Sequence, residues 1–160
     1  MLHEYLIALP VEAMPLGSTY AAETQLPLHC TVMHWFLTRL ALDELQAELD
    51  EVATSLGRSG IELVSNYPAF FGLHADVPVH VLHRNDELEW LHTAILVRLA
   101  RRSSEPSVYR WVGAGYRPHV ADRGSERFTP ERVRRPEHLV VVERLADNSR
   151  VVRSEHRFPR

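Results

Sequence analysis

The chain holds a single cysteine, Cys30, in 160 residues. That excludes an internal disulfide framework, and no Cys-Cys or Cys-His pair has structural-zinc spacing. Long apolar runs are missing too. No segment approaches the ~18 consecutive apolar residues needed to span a bilayer, and the N-terminus lacks a basic-then-apolar signal layout. A cytoplasmic protein with no membrane partner is the expectation. Excess positive charge is the third absence: the formal net charge is −3 with neutral histidines. No global field would draw in long nucleic acid, so any such partner is expected to be short or locally held. What is present suits one compact domain spanning residues 1–160, since 45% of the residues are apolar and the length lies in the single-domain range. A monomer is expected.

Periodicity places the elements. Glu4 to Leu9 is short, apolar and stopped by Pro10, as a buried strand would be. Val11 to Pro27 is rich in Pro, Gly, Ser and Thr without periodicity, and loops of this length are commonly functional. A strand from His29 to Phe36 follows. Leu42, Leu45, Leu49, Val52, Ala53 and Leu56 then recur at helical spacing, with Asp43 and Glu44 in the first turn and Gly57 as the stop. Ile61 to Ser65 and Val77 to His83 read as strands joined through Tyr67 to Gly72. A second helix begins near Asn85 or Asp86 and carries Leu88, Leu91, Ile95, Leu96 and Leu99 on one face. Strands are expected at Tyr116 to Asp122, His138 to Arg144 and Arg150 to Phe158, with a turn at Asp147-Asn148-Ser149. The order of elements repeats as two strand-helix-strand halves.

Two short strand-like segments each carry one histidine followed by apolar residues: Leu28-His29-Cys30-Thr31-Val32 and Arg117-Pro118-His119-Val120-Ala121. Strand alternation puts His29 with Thr31 on one face and His119 with Ala121 on one face. If the two strands are neighbours, both imidazoles meet across one cleft. A single His-x-Thr carries little weight, because ten histidines and seven threonines produce one by chance about 0.4 times. The setting carries more: a long loop before the first strand, a second histidine 90 positions later, and a helix in each half.

With these residues in view the chain resembles the 2H phosphoesterase superfamily, which includes 2′–5′ RNA ligase-like proteins and cyclic phosphodiesterases. Members have two His-x-Thr/Ser-x motifs on strands of two pseudo-symmetric lobes. His29-Cys30-Thr31-Val32 matches the first motif in full. His119-Val120-Ala121, preceded by Arg117-Pro118, resembles the second, with Ala121 standing where the family has Thr or Ser. The resemblance implies an α+β fold of two lobes, each an antiparallel sheet with helices on its outer side, enclosing a central cleft. It also implies a metal-independent phosphoesterase without cofactor, acting on 2′,3′-cyclic phosphates, 2′–5′ linkages or small cyclic nucleotides. A nucleotide or short RNA is then the partner. A subtype that cleaves cyclic oligonucleotide signals and a binding module that has lost turnover both stay open.

The chemistry needs these residue types. Opening a cyclic phosphate requires one group to take a proton from water and another to give one to the departing ribose oxygen. Histidine titrates near neutrality, so one ring can be neutral while its partner is protonated. His29 and His119 are the candidate pair, and Thr31 is the candidate donor to a phosphoryl oxygen. Ala121 cannot donate; Arg117, Arg123 and Ser125 are candidates to compensate. Tyr116, expected at an exposed rim, and Tyr20, in the loop before His29, are candidates for base contact, with Trp35, Phe36 and Trp111 behind them. His34 has the wrong parity to share the face of His29 unless a bulge intervenes. His92 lies on the apolar stripe of the second helix, where a hydrogen-bonded core histidine is the ordinary role. His74, His80 and His83 form only a loose group for a metal. Cys30 points away from His29, which argues against a Cys-His dyad.

Overall fold

The structure is a computed structural model that describes residues 1–58, 60–122 and 128–160. Among the described residues nine strands form one antiparallel sheet: β1 His3–Pro10, β2 Thr19–Tyr20, β3 His29–Thr38, β4 Ser65–Phe71, β5 Val77–Leu82, β6 Glu105–Pro106, β7 His119–Ala121, β8 His138–Arg144 and β9 Arg150–Arg157. Two helices, α1 Leu42–Ser55 and α2 Asp86–Arg101, complete the α+β architecture. Spatial order runs β2-β9-β8-β1-β3-β7-β5-β4, with β6 pairing β3. The expected halves are therefore not separate sheets. They join edge to edge where β3 meets β7 at Cys30 opposite Val120.

Apolar alternation decides which face the helices cover. Tyr5, Ile7 and Leu9 of β1, with Cys30, Val32 and Phe36 of β3, face a core completed by Leu45, Leu49 and Val52 of α1 and Leu88, Leu91 and Ile95 of α2. Leu6 and Ala8 point the other way, into a smaller cluster with Trp35, Val140, Val142, Val152 and Met14. β1 is thus buried on both faces, which explains its nearly continuous apolar run. The helices start where expected. Glu44 accepts a hydrogen bond from the Ala41 backbone N–H at 2.9 Å, and the Asn85 side chain accepts one from Leu88 N–H at 2.8 Å.

Besides the two-residue β2, which falls in the Val11 to Pro27 segment read as a loop, two assignments differ from the sequence expectation. Ile61 and Leu63 are buried, yet their segment is not a strand; Leu63 makes an isolated bridge to Arg134. The strand lies further on, where a connection was expected, at Ser65–Phe71. Pro68 lies within it, and among the described residues β4 ends the sheet order and pairs with β5 alone. An edge strand has one side that need not donate to a neighbour, so proline is tolerated there. The second difference is β7, shortened to three residues: it begins at His119, after the 3₁₀ turn Gly113–Gly115 and Pro118, which has no N–H to donate to a ladder.

Candidate active site

The β3–β7 junction builds the site. With Cys30 opposite Val120, antiparallel register sets His29 opposite Ala121 and Thr31 opposite His119. The flanking strands extend the rows: β1 places Pro10 beside His29 and Ala8 beside Thr31, and β5 places Val79 beside Ala121 and Val81 beside His119. His29 and His119 are therefore diagonal neighbours, a relation that strand geometry sets at roughly 7–8 Å between backbones. Cys30 and Val120 lie on the opposite, helix-covered face, both fully buried.

Each histidine is oriented in the same way. His29 Nδ1 lies 2.7 Å from the Pro27 carbonyl, and His119 Nδ1 lies 2.8 Å from the Arg117 carbonyl. A carbonyl can only accept, so Nδ1 carries the proton in both rings, and in the neutral form the lone pair belongs to Nε2. Two residues back along each chain, the same backbone group does the same work. His29, Thr31, His119 and Ala121 all line one open cleft of about 280 Å³, together with His34, Trp35, Arg150 and the loop 22–27. A larger hollow of about 370 Å³ lies beside Phe158 and Arg160. It contains no histidine, and its arginines 135, 157 and 160 lie within 4.0 Å of Glu62 or Glu137, so the chemistry and not the size singles out the smaller cleft.

The two sides of the cleft are walled differently. Beside His119 stand aromatic rings: Phe71 meets its imidazole edge-on at 4.7 Å, and Trp111 lies 6.1 Å away and stacks on Phe71 at 5.3 Å. Arg117 sits over Phe71 at 4.8 Å and donates to the Tyr67 hydroxyl at 2.8 Å. Beside His29 the wall is the 21–27 loop, held by Arg150, which donates to the carbonyls of Ala21, at 2.7 Å, and Thr24. Burial and the neighbouring Arg144 hold the Arg150 guanidinium below its usual basicity.

A second layer fixes β3 from below. The Tyr116 hydroxyl donates to the Thr31 carbonyl at 3.0 Å, and His92 Nδ1 donates to the Val32 carbonyl at 2.7 Å. His92 Nε2 accepts from Gly113 N–H at 2.9 Å, and its ring stacks flat on Tyr116 at 4.0 Å. Both nitrogens are used, one as donor and one as acceptor, so this ring is neutral. Burial holds its basicity down. His92 is the hydrogen-bonded core histidine that its place on the apolar stripe implies.

Other sequence candidates fall in different places. Tyr116 is not the exposed rim residue that was expected: it is 4% exposed and serves as a strut under Thr31. Its position just before the Arg-Pro pair gave no sign of a partner 85 residues away. Tyr20 lies in β2, with its hydroxyl 3.1 Å from Ser18 Oγ, and packs on the smaller core cluster. Phe36 is fully buried in the main core. Arg123 and Ser125 lie outside the described residues. Burial pushes the Cys30 thiol up to about 12, which leaves no thiolate for a Cys-His dyad. Among the described residues no three His, Cys, Asp or Glu side chains are grouped as metal ligands would be.

His34 is the residue that strand parity had placed on the wrong face. The β1–β3 register passes from Tyr5 opposite Phe36, through Ile7 opposite Met33, to Ala8 opposite Thr31. Two extra β3 residues are absorbed over that stretch, and the bulge returns His34 to the cleft side. The signal in the sequence was faint: Val32 and Met33 are adjacent apolar residues, and both are buried.

No family model matches this sequence, and no curated protein does. Solved structures do match, over the whole chain. The likeness is one of fold, at 12% to 13% identity. The chain is similar to E. coli LigT complexed with NADP+, at 12% identity and TM-score 0.59, covering 99% of this chain and 98% of that one. It is equally similar to E. coli LigT complexed with 3′-AMP, at 12% identity and TM-score 0.59 with both chains fully covered. A further structure described as a phosphoesterase matches at TM-score 0.60 and 12% identity, again over all of both chains.

Proposed function

We propose that the protein is a metal-independent phosphoesterase that opens 2′,3′-cyclic phosphates of nucleotides or short RNA ends by two-histidine acid-base catalysis. The observation that carries this reading is the matched pair of Nδ1–carbonyl hydrogen bonds on His29 and His119 in one cleft. Each bond commits its ring to use Nε2, as base when neutral and as acid when protonated.

The step balances with protein groups and water. One histidine accepts a proton at Nε2 from the attacking water as its oxygen bonds to phosphorus. The other, protonated, delivers its Nε2 proton to the ribose oxygen as the P–O bond breaks. Thr31 donates to a phosphoryl oxygen as negative charge builds there. The product is a nucleoside 2′- or 3′-monophosphate. The Phe71–Trp111 wall gives a nucleobase a stacking surface on the His119 side, with Arg117 beside it for the phosphate backbone. Support from relatives in fold is of the same kind, since LigT has been solved complexed with 3′-AMP and with NADP+, both nucleotides. 2′–5′ linkages, small cyclic nucleotides and cyclic oligonucleotide signals fit the same step and belong in the substrate panel.

A second reading has its own observation. Ala121 leaves the position opposite His29 without a hydroxyl, as a nucleotide-binding module that has lost turnover would. Chelator-treated protein incubated with the substrate panel, beside folded His29→Ala and His119→Ala variants, separates the two. Turnover that disappears in both variants is expected; nucleotide binding with no turnover in the wild type would establish the binding module instead.

A further inference from the structure

We propose that His34 is a third substrate-binding imidazole, whose Nε2 donates a hydrogen bond to a phosphoryl oxygen held between His29 and His119. This rests on the phosphoesterase reading for its ligand, and on three features of the structure for its geometry.

The first is the bulge. β3 departs from regular pairing between Thr31 and Phe36, and the consequence is that a polar side chain, His34, joins the cleft while Met33 goes to the core. Bulges beside active sites commonly re-aim one side chain in this way. The second is position. His34 lines both the main cleft and the small recess formed by Thr31, Trp111, Tyr116, Arg117 and His119. It therefore stands on the His119 side, next to the one motif hydroxyl that remains.

The third is an unmatched nitrogen. His34 Nδ1 is shut away from solvent and has no hydrogen-bond partner among the described residues. A buried N–H left unbonded is costlier and rarer than a buried lone pair, so the lone pair belongs at Nδ1 and the proton at Nε2. A second proton would have to go on the sealed Nδ1, so the ring stays neutral. Burial, with His119, Arg144 and His29 around it, lowers its basicity in the same direction. The ring is only partly buried and lines the cleft, so with Nδ1 sealed we place the Nε2–H edge toward it. A neutral donor there binds a phosphoryl oxygen without competing for the catalytic proton. With Thr31 it gives the cleft two donors from β3, in place of one from each strand.

Substitution by shape and by hydrogen bonding separates this from a packing role. His34→Phe keeps the ring and loses the donor, whereas His34→Gln brings an amide N–H to about the place of Nε2. With a nucleoside 2′,3′-cyclic phosphate, His34→Phe is expected to raise KM about tenfold with kcat little changed, and His34→Gln to stay within about threefold of wild type. Phe performing as well as Gln, or better, would overturn the proposal. Inorganic phosphate titrated into ¹⁵N-histidine-labelled wild type gives an independent test. The expected result is a shift of the His34 Nε2 signal, with phosphate affinity weakened in His34→Phe and kept in His34→Gln. An Nε2 signal that phosphate does not move would also overturn it. If wild type turns over nothing yet this titration behaves as expected, the catalytic reading fails and the His34 site stands.

Discussion

The two sides of the cleft share a backbone device and differ in everything around it. His29 and His119 are each pinned through Nδ1 to the carbonyl two residues earlier, on antiparallel strands that meet at Cys30 and Val120. Beyond that the His119 side has Thr31, Phe71, Trp111 and Arg117, while the His29 side has Ala121 and a loop tied down by Arg150. On the proposed function, the pairing of a symmetric core with asymmetric walls separates two jobs. Proton transfer needs two imidazoles presented alike; substrate orientation needs the two ends of the ligand to meet different surfaces.

The largest expected effect tests the shared device. His29→Ala and His119→Ala should each lower kcat by about 10³-fold with the fold intact by circular dichroism, and the double variant should be little worse, because the two rings act as one unit. If one single variant kept near wild-type turnover, the two sides would not be equivalent in chemistry. Next comes the layer under the His119 side. His92→Leu leaves the Val32 carbonyl and the Gly113 N–H without their partner, and should lower stability by about 3 kcal/mol in urea unfolding.

Acid tests His92 together with two histidines that are partly buried. His34, His92 and His138 are all held below the ordinary histidine range, chiefly by burial. Below pH ~6.5 the unfolded chain takes up protons at these positions before the folded chain does. Stability should therefore be fully present above that pH and fall as the pH drops towards their lowered folded values. Tm measured from pH 7.5 to 5 should show the slope, and His92→Leu should reduce it.

The missing hydroxyl gives a smaller effect in two directions. Thr31→Ala should cost about tenfold in kcat/KM, and Ala121→Ser should raise it severalfold by restoring a donor opposite His29. No gain from Ala121→Ser would show that the second donor is already supplied elsewhere. The aromatic wall predicts the smallest change: Trp111→Ala should raise KM for a 2′,3′-cyclic nucleotide by about tenfold or less and leave a base-free ribose 2′,3′-cyclic phosphate unaffected.

How far the sequence reached follows from which interactions are local. Both helices were legible because an apolar residue every third or fourth position is a local property, as was the alternation that puts His29 and Thr31 on one face. His34 was not, because β1 and not β3 alone decides where the bulge falls. Tyr116 was misplaced for a similar reason, its hydroxyl partner and its stacking partner lying 85 and 24 positions away. β4 read as a connection, and that a strand carrying Pro68 fits at the edge shows only in the assembled sheet.

The most direct measurement is the pH dependence of kcat/KM for a 2′,3′-cyclic nucleotide, in wild type and in the two single histidine variants. Two imidazoles sharing base and acid roles give a bell with two limbs, and each variant should lose one limb. A bell that survives intact in either variant would contradict the assignment of His29 and His119 as the catalytic pair.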